Sequence, residues 1–314
     1  MDNHPLAAEP PVFKLSPNQR AWRRFCHNRL AVGGSLVLGG IILLAILLPW
    51  FSQYHPNASS DLQFSPPSSE HSFGTDVHGR DLLVRVCHGT CISLVVGAVG
   101  AVVSLVIGVI WGAVAGYLGG RWDNLMMRIV DILYSLPSII FVIVLITTLE
   151  QLFRNWLARA LSPQYGAYTR MVFLFAGLGA VSWLTMARIV RGQVLSLRTR
   201  GFVEASRALG ASHARIIFRH ILPNVYGLII VYVALTVPAI VLSESFLSYL
   251  GLGIQPPQAS LGSLIADGAG QINPIRIYWW LILLPGGVLI TLLLSLNFIG
   301  DGLRDALDPR AETE

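Results

Sequence analysis

The sequence predicts an all-α integral membrane protein with six transmembrane helices. Of its 314 residues, 54% are hydrophobic and only 12% are charged, whereas a soluble domain usually carries about 25% charge to solvate its surface. The apolar residues come in long blocks rather than in an alternating or one-faced pattern. Each block approaches the ~20 residues needed to cross ~30 Å of hydrocarbon.

Residues 1–29 form a polar segment, rich in proline at first (Met1 to Pro17) and then basic at Arg20, Arg23, Arg24 and Arg29. The first span, 30–51, ends in Leu47-Leu48-Pro49-Trp50-Phe51. Signal peptidase needs small residues, so this helix is retained. A polar stretch, 52–91, precedes the membrane core, 92–299. The second span, 92–117, carries Gly100, Ser104, Gly108, Gly112 and Gly116 four apart, which puts small residues on one face where another backbone can approach. The third, 129–149, is expected to kink at Pro137. A polar stretch with Arg154, Arg159 and Pro163 leads to the fourth, 171–189. The fifth, 225–250, contains Pro238, and the sixth, 278–299, is interrupted at Pro285-Gly286-Gly287. Residues 300–314 form a short charged tail, in which 300–309 make a compact cap packed beneath the bundle.

Six spans put both termini on one side. That side then holds sixteen of the 22 lysine and arginine residues, among them Lys14, Arg121, Arg188, Arg191, Arg207 and Arg304. Positive charge collects in the cytoplasm, so both termini and the segment after the fourth span are cytoplasmic. Trp50 and Tyr278-Trp279-Trp280 fall near the outer interface. The net charge of +5 sits beside apolar spans, which fits membrane topology rather than a nucleic-acid face.

The chemistry of catalysis is missing from the sequence. A P-loop needs GxxxxGK[ST], and the only lysine, Lys14, follows no glycine loop. No GxSxG or HExxH motif occurs. Cys26, Cys87 and Cys91 suggest no disulfide framework. Cys87, Cys91, His78 and His88 lack paired zinc-ligand spacing, and helix packing explains the cysteines better.

The informative segment is Gly201-Phe202-Val203-Glu204-Ala205-Ser206-Arg207-Ala208-Leu209-Gly210, continuing to Leu222-Pro223-Asn224. It reads as a short helix, a turn at Gly210, and a second short helix. Pro223 then opens the fifth span at a first-turn position. Such a hairpin is either a knob for a soluble partner or an amphipathic loop lying on the lipid headgroups; the residues by themselves leave both open.

This segment resembles the EAA loop of ATP-binding-cassette (ABC) importer permeases, with Ser206 in place of the second alanine and His220 where the broad pattern has isoleucine. From about Arg20 to Pro309 the chain is similar to the C-type permease of oligopeptide importers. Matching stretches include Phe73-Gly74-Thr75-Asp76, Gly79-Arg80-Asp81-Leu82-Leu83, 186–193, 244–253 and 297–309. The resemblance implies a type I importer fold in the bacterial cytoplasmic (inner) membrane, and a heterodimer with a second permease. It also implies two cytoplasmic ATPase subunits that bind the ATP, and an extracytoplasmic peptide-binding protein. The coupling loop would span 200–223, with Glu204, Ala205, Ser206, Gly210, Leu222 and Pro223 docking on the ATPase. No cofactor and no nucleic acid are implied for this chain.

Glu244 is the notable acid within a span. Such acids are candidates for a substrate pathway, but near the outer interface it can equally be wet, or hydrogen-bonded to Ser243 or Ser248. Asp76, Arg80 and Asp81 either brace the outer mouth, contact the binding protein or pair internally. Asp131 follows Arg128 by three positions and is expected to pair with it. The competing functions are a permease for dipeptides, nickel or another solute, and a secondary carrier. The repeated halves and paired deep acids of many carriers are not seen. An exporter would not carry the coupling loop.

Overall fold

The computed structural model describes residues 16–145, 147–148, 166–273 and 275–308. The leader up to residue 15, the end of the third span, Arg154, Arg159, Pro163 and residues 309–314 lie outside them. All the regular elements among the described residues are helices: α1 Pro17–His27, α2 Arg29–Phe51, α3 Leu82–Leu118, α4 Gly120–Ser135 and α5 Ser138–Leu145 come first. Then follow α6 Gly166–Leu197, α7 Gly201–Ala208, α8 His213–Tyr249, α9 Leu261–Ala269 and α10 Trp280–Leu307.

Among the described residues four helices are long and apolar enough to cross a membrane: α2, α3, α8 and α10. The pair α4–α5 makes a fifth if it is one broken span. The 32-residue α6 contains the expected fourth span but is not in that group.

Several expected boundaries move, each for a physical reason. The second span begins at Leu82 rather than Ile92, because the Asp81 carboxylate caps the helix by accepting from the Val84 amide at 2.9 Å. At about 1.5 Å per residue, its 37 residues outrun the hydrocarbon, so its first turns stand outside. The third span does not merely kink. Pro137 holds Leu136 in an extended conformation (ψ 139°), as the residue before proline prefers, and α4 and α5 diverge by 93°.

The helix that carries the fifth span reaches back to His213. Pro223 keeps its expected first-turn place in the α-helical stretch Leu222–Tyr249, just after a π-helical turn, Ile216–Ile221. There the Leu222 amide reaches back five residues to the Ile217 carbonyl. The widened turn makes room for a proline that supplies no amide hydrogen. The sixth span is not interrupted at Pro285; α10 runs through it and on to Leu307. The expected C-terminal cap is therefore the last turns of α10.

The small-residue face of α3 does what its spacing predicts. A side chain added at Gly108 would meet Met186, and one at Gly112 or Gly116 would meet the α6 backbone at Ala187 or Arg191. Higher up, Gly100 of α3 faces Gly179 of α6. The two backbones thus pack closely over about four turns.

The bundle has two distinct ends. At one, α1 and the start of α2 meet the end of α10: Arg24 donates to the Asp308 carbonyl, Asn28 reaches Asp305, and Gly302 lies against Ala31. Leu307 borders Gly227 in the first half of α8, and α8 runs from there back to its start at His213, which places α7 at this end too. At the other end residues 52–81 fold over α9 and the start of α10. Phe64 stacks on Tyr278 with ring centroids 4.3 Å apart, and the Trp280 indole donates to the Thr75 carbonyl.

Candidate functional site

Helix α7 is a short, exposed rod fixed at both ends. Val203 is its one fully buried residue, inserted among Tyr117, Val194, Ile216 and Ile221. Glu204 and Ala205 point outward, and the Ser206 hydroxyl donates to the Phe202 carbonyl at 2.8 Å. The helix closes with a Schellman turn: the Ala211 amide donates to the Ser206 carbonyl and the Gly210 amide to the Arg207 carbonyl, at 3.1 and 3.0 Å. Gly210 has φ +78° with open space around it. Its glycine therefore answers a backbone requirement, not a packing one.

Ser212 then accepts from the Arg215 amide and starts α8. The next turns bury Ile216, Ile217 and Ile221, so the hairpin is rigidly continuous with a membrane helix. Tyr117, at the end of α3, hydrogen-bonds His213 at 2.9 Å, and Arg207 lies over its ring. Leu222 is half-buried and Pro223 exposed on the same hairpin. Leu209, 88% exposed, stands at the tip, and Phe202 is exposed at the other end of the helix.

Two ion pairs brace the helices behind this knob. Arg191 grips both Asp123 oxygens, through Nε at 2.5 Å and Nη2 at 2.7 Å. Asp131 pairs with Arg188 of α6 at 2.8 Å, not with Arg128 as its spacing suggested. The Arg188 guanidinium also covers the Tyr134 ring at 4.1 Å.

At the opposite end the charged turn is knitted inward. Asp76 accepts from the His78 and Arg80 amides at 2.8 and 2.9 Å and from the Arg80 side chain at 2.7 Å. Arg85 approaches it at 3.5 Å, and Asp267 of α9 at 3.8 Å. Asp81 caps α3 and meets His71 at 2.8 Å. Both Asp76 and Asp81 are buried. Partial burial raises the pKa of Asp267, while Arg85 and Arg80 pull it down. His71 and Arg85 carry much of this cluster, and the sequence offered no spacing rule by which to find them.

Glu244 is wholly enclosed. It accepts from Ser248 at 2.6 Å and from Ser93 of α3 at 3.1 Å, and lies 3.5 Å from the Ser245 hydroxyl. Ser93 in turn accepts from the Leu261 amide at the start of α9. Of the two serines expected as partners, Ser248 is one, while Ser243 donates to its own helix at Ala239. The expectation of a wet carboxylate fails, because the serines of two helices fill the space around it.

This is a helical membrane bundle with one end braced by polar pairs and the other bearing a rigid exposed knob. Its long apolar helices put it in the class of polytopic α-helical membrane proteins. More narrowly, the chain is a member of the binding-protein-dependent transport system inner membrane component family, whose model matches residues 108–313. Residues 16–67 match the N-terminal TM domain of oligopeptide transport permease C. The chain is 49% identical to the oligopeptide transport system permease protein OppC of Escherichia coli (strain K12) over 295 residues, 93% of this chain and 91% of that protein. It is 43% identical to the OppC of Bacillus subtilis (strain 168), with 94% and 90% covered. With the dipeptide transport system permease protein DppC of the same organism it shares 42% identity, with 94% and 87% covered.

Proposed function

We propose that this chain is one of two permease subunits of an ATP-driven importer and forms half of the path by which oligopeptides cross the bacterial inner membrane. A second permease, two cytoplasmic ATPase subunits and an extracytoplasmic peptide-binding protein complete the machine. On this reading α4–α5 and α6 are the third and fourth of six crossings, and both termini are cytoplasmic. The end that carries α1, α7 and the close of α10 is also where the arginines gather, which supports that orientation.

One observation carries the coupling role: α7 is exposed on its Glu204 face, yet fixed by Val203 and the Gly210 turn to the base of α8. A push on α7 then reaches the membrane helices without being absorbed by a flexible loop. Closure of the ATPase dimer would tilt α6 and α8 and exchange outward for inward access. Oligopeptides lead as cargo because the permeases at 49% and 43% identity carry that name; a dipeptide importer is the nearest alternative.

The test replaces Gly210 with Pro, which cannot adopt φ +78°, and Glu204 with Arg. Both variants are expected to insert and to abolish ATP-dependent uptake of radiolabelled oligopeptide. Uptake at the normal rate by either one refutes the coupling role.

A further inference from the structure

The bundle holds a cavity of about 350 Å³ where the α4–α5 break faces α6 and α8. Among its lining residues are Tyr134, Leu136, Ser138, Ser182, Thr185 and Ser243, and none of the described residues that line it is charged. We propose that this cavity is a section of the translocation path that carries the main chain of the peptide, held by hydroxyl groups and by the broken backbone at Pro137. The cargo in this statement rests on the peptide reading above; the cavity's place on a water-filled path does not.

The argument begins with hydrogen bonds that the break leaves unmade. Among the described residues the carbonyls of Tyr134, Ser135 and Leu136 and the amides of Ser138, Ile139 and Ile140 find no partner. Backbone left open in this way survives inside a membrane only where it is buried in protein or lines a water-filled cavity. Here residues 134–140 are exposed on this chain, and Tyr134, Leu136, Ser138 and Ile139 line the cavity, so on this proposal the space is wet rather than filled by lipid.

The side chains define what the cavity can bind. Ser182 and Ser243 donate to their own helices, at the Leu178 and Ala239 carbonyls, and keep lone pairs free to accept from a passing amide. Tyr134, Ser138 and Thr185 make no side-chain hydrogen bond to any described residue, so their hydroxyls can both donate and accept. An extended peptide leaving water needs such a mixed surface for its amides and carbonyls. With no charge in the wall, acidic, basic and neutral side chains meet the same environment. On α6 the pair Arg188–Asp131 lies about one turn below Thr185, with Arg188 stacked on Tyr134, and this pair forms the floor toward the knob.

The experiment uses the assembled transporter in proteoliposomes, with Cys26, Cys87 and Cys91 replaced by Ser and a single Cys at Ser138 or Thr185. The probes are a charged, membrane-impermeant methanethiosulfonate and pentaalanine delivered with the binding protein and ATP. Both cysteines are expected to react, at least fivefold more slowly during pentaalanine transport. Reaction only with a lipid-soluble maleimide, or only after denaturation, overturns the water-filled path. Reaction that pentaalanine leaves unchanged while uptake proceeds reduces the cavity to a side crevice and overturns the proposal. If the unsubstituted transporter takes up no pentaalanine, the peptide assignment fails separately and with it the main-chain role. Thr185→Val combined with Ser182→Ala is expected to lower pentaalanine uptake about tenfold, the scale of one or two lost hydrogen-bond partners. Thr185→Ser, which keeps the hydroxyl, should restore it; uptake that is equal in all these variants overturns recognition by the hydroxyls.

Discussion

Glu244 shows how little position along a helix says about what surrounds a side chain. Its distance from the start of the span placed it near the outer interface, where a carboxylate can sit in water. The three serines that enclose it come from positions 93, 245 and 248, and only the last two are near enough in sequence to be anticipated. Removing the acid leaves those hydroxyls buried without their acceptor, at about 1–3 kcal/mol for each unsatisfied group. Glu244→Leu is therefore expected to lower the melting temperature of the purified complex, measured by fluorescence-detected gel filtration. Glu244→Gln, which still accepts, should fall much less. A Gln variant as unstable as the Leu variant would show that charge, not hydrogen bonding, holds this site. Asp131 teaches the same lesson: its spacing to Arg128 was visible, whereas Arg188 lies 57 positions away and meets it only through packing. Gly210 is the contrasting case, because a turn that requires positive φ announces itself by its glycine.

At the scale of elements, the sequence was clearest where one face of one helix decides the structure. Glycine and serine at every fourth position of α3 implied close approach, and α6 lies against that face. The beginnings of helices were harder to see. Leu82–Cys91 contains Arg85 and His88 and does not look like membrane, yet it continues α3, because Asp81 caps it and Asp76 and Asp267 answer the Arg85 charge. The π-helical turn before Pro223 was invisible, since only the three-dimensional path reveals where an extra residue is taken up. The α3–α6 seam makes the strongest prediction at this scale. Gly108→Val forces a branched side chain onto Met186, and overpacking of this kind costs about 1–3 kcal/mol. Thermal unfolding of the complex in detergent should show the loss. The same substitution at Gly286, which has open space around it, should leave the melting temperature within a degree or two. Equal effects at the two positions would mean that the seam is not a tight contact in the assembled protein.

For the whole molecule, the decisive property is which end faces which compartment, because the coupling role proposed for α7 requires ATP on its side. The chain's two ends were separable by arginine placement alone, and the fold gathers α1, α7 and the close of α10 at the arginine-rich end. Leu209 at the tip of the knob is 88% exposed, and Ser69, in the folded segment at the other end, is also exposed. These two positions make paired reporters in a background whose three native cysteines are replaced. Leu209→Cys should react with a membrane-impermeant maleimide in inside-out vesicles and stay unlabelled in intact spheroplasts. Ser69→Cys should give the opposite pattern. Adding the ATPase subunits should then shield Leu209→Cys and leave Ser69→Cys untouched, since the docking surface proposed here includes only the former. Labelling of Leu209→Cys from outside would reverse the orientation and remove the route by which ATP could drive the bundle. Labelling from inside that the ATPase subunits do not slow would keep the topology and move the docking surface away from α7.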